Sequence, residues 1–406
     1  MRNINVELMP NVSKRSQEVP LSPFRKLAAL AEQVKQEGRK VYHLNIGQPD
    51  ILTPPGAMTR LKEMPFQIVP YTPAEGLLSL RKAMAFYYSR IGIQVAPEEV
   101  VITTGASEGL QMALFTCFEQ GDEVITPEPF YANYSGFAQI AGVQIVPVKS
   151  NIETGFAMPG ISDFEALITP RTKGILLCNP SNPTGTFYPK EVVLALGELV
   201  RRYGLFLLVD EVYRDFIYDG QTFFSAMEIR GLEDHVILID SVSKRFSACG
   251  ARVGMLVTRN PVVIEQVSRY AKLRLSPPFL GQVLSEFMLE EAPEYLGPVV
   301  AEYDARRNIL FERLSAIPGV VSYKPGGAFY CFAKFPVADA DHFCEWLLGT
   351  YSYQGATVML SGGRSFYATP GLGLDEVRIA YILNQADLQA AMDILERALA
   401  VYPGRV

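Results

Sequence analysis

Short apolar runs alternate with helical patterns of apolar and polar residues through the middle of the chain. The clearest apolar runs lie at 174–178, 205–209 and 236–240, and a helical pattern at 192–203 separates the first two. Further apolar or strand-like runs lie at 100–102, 123–126, 143–146 and 252–257, and further helical patterns at 109–118 and 133–140. Apolar strands separated by helices are typical of a parallel sheet that is buried on both faces. The pattern predicts an α/β fold with a mostly parallel sheet covered by helices on both faces.

The two ends of the chain carry a different pattern. A serine–proline pair opens a helical pattern at 22–37, as expected for an N-cap followed by proline in the first turn. Near the other end, a long charged amphipathic helix is predicted at 295–314, followed by an α+β stretch. We therefore expect a large domain at 51–290 and a small α+β domain formed by 1–50 together with 291–406.

Composition narrows the class of protein. The chain has 406 residues, of which 49% are hydrophobic and 20% charged, and this length exceeds what one compact core usually needs. With 43 acidic and 37 basic residues the net charge is −6. The chain therefore lacks the excess of basic residues that would indicate nucleic-acid binding. No segment approaches the roughly 20 apolar residues of a membrane span, and the first seven residues lack the apolar stretch of a signal peptide.

Cysteine and histidine usage indicates reduced thiols and no metal. The five cysteines form no CxxC motif and no cluster with histidine, and the three histidines are scattered. An odd number of cysteines with apolar neighbours is typical of reduced core thiols, which predicts a cytoplasmic protein. The cysteines are Cys117, Cys178, Cys249, Cys331 and Cys344.

The run SVSKRFSACGARVG at 241–254 contains the first candidate for catalysis. Its Lys244 offers an amine for a Schiff base, with Ser241 and Ser243 shortly before it and Arg252 eight residues after it. An aldehyde cofactor that carries a phosphate needs one nucleophilic lysine, with hydroxyl and guanidinium groups for the phosphate. The alternative is a solvated lysine in a loop rich in serine and glycine.

A second candidate is the run TTGASEG at 103–109, which follows a strand and opens a helix. Small residues allow backbone N–H groups to approach an anion, and the helix N-terminus favours negative charge. This combination predicts a phosphate site that includes Ala106 and Ser107. A glycine turn that serves packing alone is the other explanation.

A third candidate is the DEVY run at 210–213, which places Asp210 at the C-terminal end of an apolar strand. Ligands of open α/β sheets bind at this edge. A carboxylate there could pair with a protonated ring nitrogen, and Tyr213 could reach the same ring. Alternatively, Asp210 caps the helix that follows.

Two more motifs follow strand ends. The NPSNPTG run at 179–185 contains Asn182, which could hydrogen-bond a ring hydroxyl, although a rigid turn also explains the run. The PEPFY run at 127–131 presents Tyr131, an aromatic that could stack on a flat heterocycle or belong to the core.

In combination these motifs resemble the class I/II aminotransferases, which are pyridoxal-phosphate enzymes of fold type I. The resemblance extends from about residue 21 to about residue 399. It implies that pyridoxal 5'-phosphate is the cofactor and that Lys244 binds it covalently, then moves a proton between the substrate α-carbon and cofactor C4′. Asp210 would pair with the ring nitrogen, and Asn182 and Tyr213 would contact the ring oxygen. The other cofactor-binding residues implied are Tyr131 as the stacking ring, and Ala106, Ser107, Ser241 and Arg252 at the phosphate.

The resemblance also implies a substrate site and a homodimer. Arg378 in the run VRIAY would grip the substrate α-carboxylate, for which its planar fork suits a bidentate contact. Gly47 and Asn182 would lie beside that carboxylate. Tyr71 resembles the tyrosine that reaches the phosphate of the neighbouring subunit, so two chains would share each active site.

The reaction implied is ping-pong transfer of an α-amino group from an L-amino acid to a 2-oxo acid, with 2-oxoglutarate as the expected acceptor. Aromatic, alanine, branched-chain and acidic donors all remain open. One bacterial subgroup of aspartate aminotransferases has a lysine where this chain has Ser107, which argues against that subgroup. Lys272, Arg274 and Arg364 are candidates for a second carboxylate contact or are solvated surface charges.

Two rival functions follow from the same motifs. A pyridoxal-phosphate-dependent C–S β-lyase would use the same lysine and aspartate, so the motifs separate it poorly from a transaminase. A ligand-sensing domain of a transcription regulator borrows this fold, but such proteins carry a basic DNA-binding domain in front of it. Only about twenty residues precede the first matched helix, and they contain no basic helix-turn-helix pattern.

Overall fold

The computed structural model describes residues 10–20 and 27–406. The strands are β1 (Lys40–His43), β2 (Val100–Thr103), β3 (Glu123–Glu128), β4 (Gln144–Lys149), β5 (Thr172–Cys178), β6 (Phe206–Asp210), β7 (Val236–Ser241), β8 (Gly254–Val257), β9 (Val321–Ser322), β10 (Tyr330–Lys334), β11 (Ala356–Met359), β12 (Ser361–Gly362) and β13 (Glu376–Ala380). The α-helices are α1 (Lys14–Glu18), α2 (Ala28–Gln36), α3 (Pro55–Glu63), α4 (Leu78–Arg90), α5 (Ala106–Cys117), α6 (Asn133–Ala141), α7 (Ile161–Glu165), α8 (Lys190–Tyr203), α9 (Val242–Arg245), α10 (Pro261–Arg274), α11 (Phe279–Ala316), α12 (Ala340–Gly349) and α13 (Gln385–Val401).

A seven-stranded sheet with the order β2-β8-β7-β6-β5-β3-β4 forms the centre of the molecule. All neighbouring strands pair in parallel except β8, which is antiparallel to both β2 and β7. The C-terminal ends of β3, β5, β6 and β7 therefore meet at one edge. The predicted mostly parallel sheet is confirmed.

Helices cover both faces of this sheet. Since successive strand residues point to opposite sides, alternate side chains pack against the helices of opposite faces. Leu208 of β6 packs in the same apolar cluster as Leu110 of α5, whereas the next residue, Val209, packs in a second cluster with Leu196 of α8. These strand residues are almost fully buried. The continuous apolar runs of the sequence thus reflect burial on two sides.

The smaller sheets bring the two ends of the chain together. β1 pairs in parallel with β11, and a four-stranded antiparallel sheet has the order β12-β13-β10-β9. α12 and α13 pack against β11. The division into 51–290 and a small domain of 1–50 with 291–406 stays a prediction.

The long helix differs from the prediction. α11 begins at Phe279, well before the predicted start at 295, and crosses the expected domain boundary at 290. The prediction was wrong because Pro293 and Pro298 lie inside the helix and interrupt the pattern. Before them, Leu284, Met288, Leu289 and Ala292 continue the helical spacing and are buried.

The predicted helix start at Ser22 and Pro23 lies outside the described residues, as do the polar first seven residues. The described part of that helix ends at Gln36, close to the expected end.

Within residues 10–20 and 27–406, no helix combines the length and the apolar character that crossing a membrane requires.

Candidate active site

The C-terminal edge of the parallel strands borders a cavity of about 650 Å³. Asp210 is the last residue of β6, Tyr131 follows β3, and Asn182 lies in the loop after β5. Eleven of the twelve residues nominated from the sequence line this one cavity: Gly47, Ala106, Ser107, Tyr131, Asn182, Asp210, Tyr213, Ser241, Lys244, Arg252 and Arg378. Tyr71 is not among the lining residues, and 80% of its surface is exposed.

Lys244 lies in the short helix α9, directly after β7. Ser241 caps this helix through its side-chain oxygen, which accepts a hydrogen bond from the backbone N–H of Ser243 at 3.0 Å. The Lys244 Nζ donates a hydrogen bond to the carbonyl oxygen of Gly47 at 2.7 Å and lies 3.9 Å from the Sγ of Cys249. The half-buried amine therefore faces the cavity, and Lys244 lies in a helix and not in a loop.

Asp210 presents a buried carboxylate to the same cavity. Its Oδ2 accepts a hydrogen bond from the hydroxyl of Tyr134 at 2.7 Å, and its Oδ1 accepts one from the backbone N–H of Val212 at 3.3 Å. Burial raises the pKa of Asp210 to about 6, and the bonds from Tyr134 and Val212 oppose that rise because they stabilise the ionised form. A nearby cation would restore a fully charged carboxylate at neutral pH. The bond to Val212 shows that Asp210 also makes a local turn contact.

Tyr213 and Tyr330 form one wall of the cavity. Their hydroxyl oxygens are 2.9 Å apart, and the two rings meet edge to face with centroids 5.4 Å apart. Gly47 lies against this pair, since a Cβ at that position would collide with the Tyr330 hydroxyl. Only a glycine therefore lets the chain pass between Tyr330 and the Lys244 amine.

Arg378 lies on β13 and is 1% exposed. One of its Nη atoms donates to the Oδ1 of Asn182 at 3.0 Å and the other to the carbonyl oxygen of Asn45. The guanidinium also lies over the rings of Tyr330 and Phe366, at 4.7 and 5.1 Å. Burial lowers the pKa of Arg378, although an arginine stays protonated at neutral pH. The site therefore contains a buried cation that contacts Asn182, Asn45 and two aromatic rings.

The other end of the cavity is built for an anion. Arg252 has a left-handed backbone (φ 55°), and its guanidinium donates to the carbonyl oxygen of Thr104, just before α5, at 3.2 Å and to that of Cys249 at 3.0 Å. Gly105 (φ 80°) is the N-cap of α5, and a side chain there would collide with Arg252. Ser107, in the first turn of α5, and Ser241 add hydroxyl groups. This combination matches the general chemistry of phosphate binding at a helix N-terminus.

The comparisons with known proteins agree with this geometry. The family model for aminotransferase class I and II matches residues 39–395. The chain belongs to this family.

The curated relatives and solved structures are similar over almost the whole chain. An aspartate aminotransferase of Pyrococcus horikoshii is 30% identical over 96% of this chain and 97% of the relative, and an aspartate/prephenate aminotransferase of Thermus thermophilus is 30% identical over 96% and 99%. The crystal structure of a Thermotoga maritima aspartate aminotransferase superposes with a TM-score of 0.87 at 29% identity, over 96% of this chain and all of that one. An alanine aminotransferase of Pyrococcus furiosus gives the same TM-score, identity and coverage.

Members of this aminotransferase family depend on pyridoxal phosphate, and the residues of the cavity fit that group. The cavity offers a primary amine at Lys244, a buried carboxylate at Asp210, and hydroxyl and guanidinium groups at the opposite end. An aldehyde, a basic ring nitrogen and a phosphate are the partners that this donor set suits. Within the described residues, no group of histidine, cysteine, aspartate or glutamate side chains could hold a metal ion.

Three cations that were candidates for a second carboxylate contact lie outside the lining of this aminotransferase cavity. Arg274 donates to Glu108 at 2.7 Å and to the carbonyl oxygen of Ala74 at 2.8 Å. Arg364 pairs with Asp339 at 2.5 Å. Lys272 is 3.9 Å from Glu75 and its side chain is 67% exposed.

Several residues at the site escaped the sequence interpretation. Tyr134 and Tyr330 carry no local motif, although Tyr134 follows Tyr131 by three residues at the start of a helix, which was a usable signal. Cys249 was interpreted as a core thiol, but it is half-buried and lines the cavity, because the turn at 246–251 brings it beside Lys244. All five cysteines are free.

Proposed function

We propose that this aminotransferase moves the α-amino group of an L-amino acid to a 2-oxo acid, with 2-oxoglutarate as the usual acceptor, in two half-reactions at one site. The observation that carries the proposal is that the Lys244 amine, the Asp210 carboxylate and the Arg378 guanidinium line the same cavity. A base, a group for the ring nitrogen and a carboxylate receptor are the three functions that amino-group transfer at an α-carbon requires.

Bound pyridoxal phosphate supplies the electron sink that stabilises the carbanion left when the α-proton is removed. Lys244 would hold the cofactor covalently, and its Nζ, when free, would accept the proton of the substrate α-carbon and move it within the site. The Gly47 carbonyl, which accepts a hydrogen bond from this Nζ, would hold the free amine. Asp210 would keep the proton on the ring nitrogen, which favours electron withdrawal.

The other residues that line the cavity would contact the ring and the phosphate of the cofactor. Tyr213 and Asn182 would donate hydrogen bonds to the ring oxygen, and Tyr131 would stack on the ring. The phosphate would lie at the N-terminus of α5 with Ala106, Ser107, Ser241 and Arg252. Arg252 donates to two backbone carbonyls, and a phosphate would offer it a charged acceptor.

Arg378 would bind the α-carboxylate of the substrate with its planar fork. Asn182 and Gly47 would lie beside that carboxylate, since Asn182 already accepts a hydrogen bond from Arg378 and Gly47 lies next to Tyr330. The guanidinium offers a planar pair of donors, so an arriving carboxylate gains a charge-assisted contact. This step orients the Cα–H bond toward the Lys244 amine.

A homodimer is the assembly that we propose. Tyr71, Ile68 and Val69 are exposed by 80%, 77% and 61%, and Leu273 and Leu275 of a neighbouring segment by 82% and 56%. The two segments adjoin, because Arg274, which lies between the two leucines, donates a hydrogen bond to the carbonyl oxygen of Ala74. An apolar patch of this kind is typical of an interface, and a second copy would bring Tyr71 to the partner's phosphate site.

We propose a cytoplasmic location because the cysteines are present as free thiols. All five cysteines are free, and a protein of an oxidising compartment would tend to pair such residues.

The test of the activity is a panel of amino donors with 2-oxoglutarate and with pyruvate as acceptors. Aromatic, branched-chain and acidic amino acids, and alanine with 2-oxoglutarate, should be compared with a reaction that lacks the acceptor. Stoichiometric formation of the new amino acid supports transfer. Release of pyruvate and ammonia from cystathionine without transfer would instead indicate a C–S β-lyase, which the names of the relatives do not favour.

The panel also decides the side-chain preference. Lys272, Arg274 and Arg364 lie outside the cavity lining, and Ser107 stands where one subgroup of aspartate enzymes has a lysine. A strong preference for aspartate would require a distal carboxylate contact from elsewhere, such as the partner subunit.

A further inference from the structure

A cluster of buried charges lies directly behind the active-site edge of the sheet. We call it the buried charge cluster, and it consists of Glu211, Arg214, Asp215, Asp240 and Arg245. The side chains are 0% to 2% exposed, apart from Asp215 at 11%. None of the five lines the cavity, so the mechanism above does not use them.

Each end of the cluster adjoins a residue of the active site in the chain. Arg245 follows Lys244, Glu211 follows Asp210, and Asp240 precedes Ser241. The backbone positions of the amine and of the carboxylate are therefore one residue away from buried ion pairs.

Asp240 is the centre of the cluster. Its Oδ1 accepts hydrogen bonds from Arg245 at 2.7 Å and from the backbone N–H of Ser241 at 2.7 Å. Its Oδ2 accepts from the Tyr88 hydroxyl at 2.9 Å and from Arg214. One carboxylate thus joins α9, the end of β7, α4 and the segment after β6.

Two further ion pairs complete the connection. Arg245 also donates through Nε to Asp215 at 2.8 Å, and Arg214 donates to Glu211 at 3.2 Å. Both arginines therefore connect Asp240 to the 211–215 segment that begins beside Asp210. Buried ion pairs contribute little net stability as a rule, but breaking one by removing a single partner is strongly unfavourable. Our proposal is that this arrangement fixes a geometry.

We propose that Arg245 and Asp240 are positioning residues that hold the Lys244 helix at a fixed place relative to the Asp210 carboxylate. The inference rests on the proposed function, because it concerns the distance between the two groups that would contact the cofactor. A displacement of about 1 Å at a reacting group can lower a rate about a hundredfold.

The cluster also acts on Asp210 through charge. The titratable groups that face Asp210 include Tyr131, Tyr134, Tyr213, Cys178, Lys244 and Asp240. The charge of Asp240 raises the pKa of Asp210, whereas that of Lys244 lowers it. Facing Asp240 itself are Arg214, Arg245, Tyr88 and Glu211. Removing the charge of Arg245 would leave Asp240 less compensated, and the pKa of Asp210 would rise further.

The experiment compares Arg245→Met, Arg245→Lys, Asp240→Asn and the double variant Arg245→Met/Asp240→Asn with the wild type. The matched control is Arg307→Met, since Arg307 is 1% exposed and pairs with Asp219 at 2.7 Å and with Asp304, neither of which adjoins an active-site residue in the chain. Measurements are the dissociation constant of pyridoxal phosphate, the pH at which the visible absorption of the bound cofactor changes, kcat and KM for the donor, and thermal unfolding.

We expect Arg245→Met to lower kcat by roughly tenfold to a hundredfold with a smaller change in KM, and to shift the absorption midpoint. Arg245→Lys should recover part of kcat, and the double variant should be less impaired than the sum of its single changes. Arg307→Met should lower the unfolding temperature and leave the absorption midpoint in place. If Arg245→Met fails to fold, Arg245→Lys and Asp240→Asn carry the same test.

The proposal is overturned if folded cluster variants keep the wild-type absorption midpoint and a kcat within twofold of wild type. A loss of unfolding temperature without either change would equally show a role in stability alone. Failure of the proposed function looks different, because then the wild type itself would show no visible cofactor band and no transfer.

Discussion

Asn182 accepts a hydrogen bond from Arg378 at 3.0 Å, although the two residues lie 196 positions apart in the chain. Asn182 belongs to the loop after β5 of the large sheet, and Arg378 to β13 of the antiparallel sheet. The bond therefore joins the wall proposed for the cofactor ring to the group proposed for the substrate carboxylate. A substrate that binds Arg378 would therefore alter the hydrogen bond between Arg378 and Asn182.

Replacing Arg378 with lysine should weaken donor binding and turnover. Lysine keeps the charge but loses the planar fork, so we expect kcat/KM for every amino donor to fall about tenfold to a hundredfold, consistent with loss of a charge-assisted bidentate contact. Steady-state kinetics with the best donor provide the measurement. Arg364→Lys is the control, because Arg364 is exposed and pairs with Asp339 outside the cavity lining. An unchanged kcat/KM in Arg378→Lys would remove this residue from the substrate site.

Replacing Lys244 with alanine should abolish turnover while the protein stays folded. The amine donates to the Gly47 carbonyl and to the Sγ of Cys249, and it is not an ion-pair partner in the described structure, so its loss should change the free energy of unfolding by about 1 kcal/mol. The visible absorption of the lysine-bound cofactor should disappear. Lys149→Ala, at an exposed position at the end of β4, is the matched control. Full activity in Lys244→Ala would contradict its proposed role.

Local motifs predicted residues that line one cavity, because the motifs follow strand ends. Asp210 and Asn182 each come at or after the end of a buried parallel strand, and the topology brings such ends to one edge. The family resemblance supplied Arg378, whose surroundings in the sequence carry no chemical signal of their own.

Contacts between distant segments could not be predicted in the same way. Tyr330 reaches Tyr213 from a strand 117 residues later, and Tyr88 reaches Asp240 across 152 residues. The sequence shows Arg245 only as a charge beside the lysine, and such a charge is normally solvated. Its complete burial depends on tertiary packing, as does the continuation of α11 through Pro293.

Changing Tyr71 tests the shared active site. We expect Tyr71→Phe to weaken retention of pyridoxal phosphate by roughly tenfold, as loss of one hydrogen bond to a charged group would do, without changing the unfolding of the isolated chain. Dialysis of the holoenzyme at several protein concentrations measures this, together with sedimentation. Tyr203→Phe is the control, because Tyr203 is exposed and bonds Glu165 on α7. A wild-type monomer that retains its cofactor equally well at all dilutions would contradict the dimer.

Cofactor affinity should depend on the ionisation of Asp210, and Tyr134 should set the pH range. Burial raises the pKa of Asp210 to about 6 in the cofactor-free protein, and the Tyr134 hydroxyl opposes that rise. A cationic ring nitrogen needs the ionised carboxylate, so the dissociation constant should increase as the pH falls through about 6. In Tyr134→Phe the carboxylate loses a donor and its pKa rises further, so the loss of affinity should begin at a higher pH.

The same shift has a consequence for the stability of the cofactor-free protein. Because the folded pKa of Asp210 lies above its ordinary value of 3.8, this residue favours the folded state at low pH, and that contribution is lost as the pH rises from about 4 through about 6. Asp210→Asn should remove this part of the pH dependence.

The pH dependence of cofactor affinity is measured by titrating pyridoxal phosphate into the cofactor-free wild type, Tyr134→Phe and Tyr303→Phe. The titrations run between pH 5 and pH 8, roughly the range in which such a group titrates. Tyr303 is the control, since its buried hydroxyl has no hydrogen-bond partner among the described residues. Identical pH profiles for all three proteins would show that the Tyr134 hydroxyl does not control the charge of Asp210.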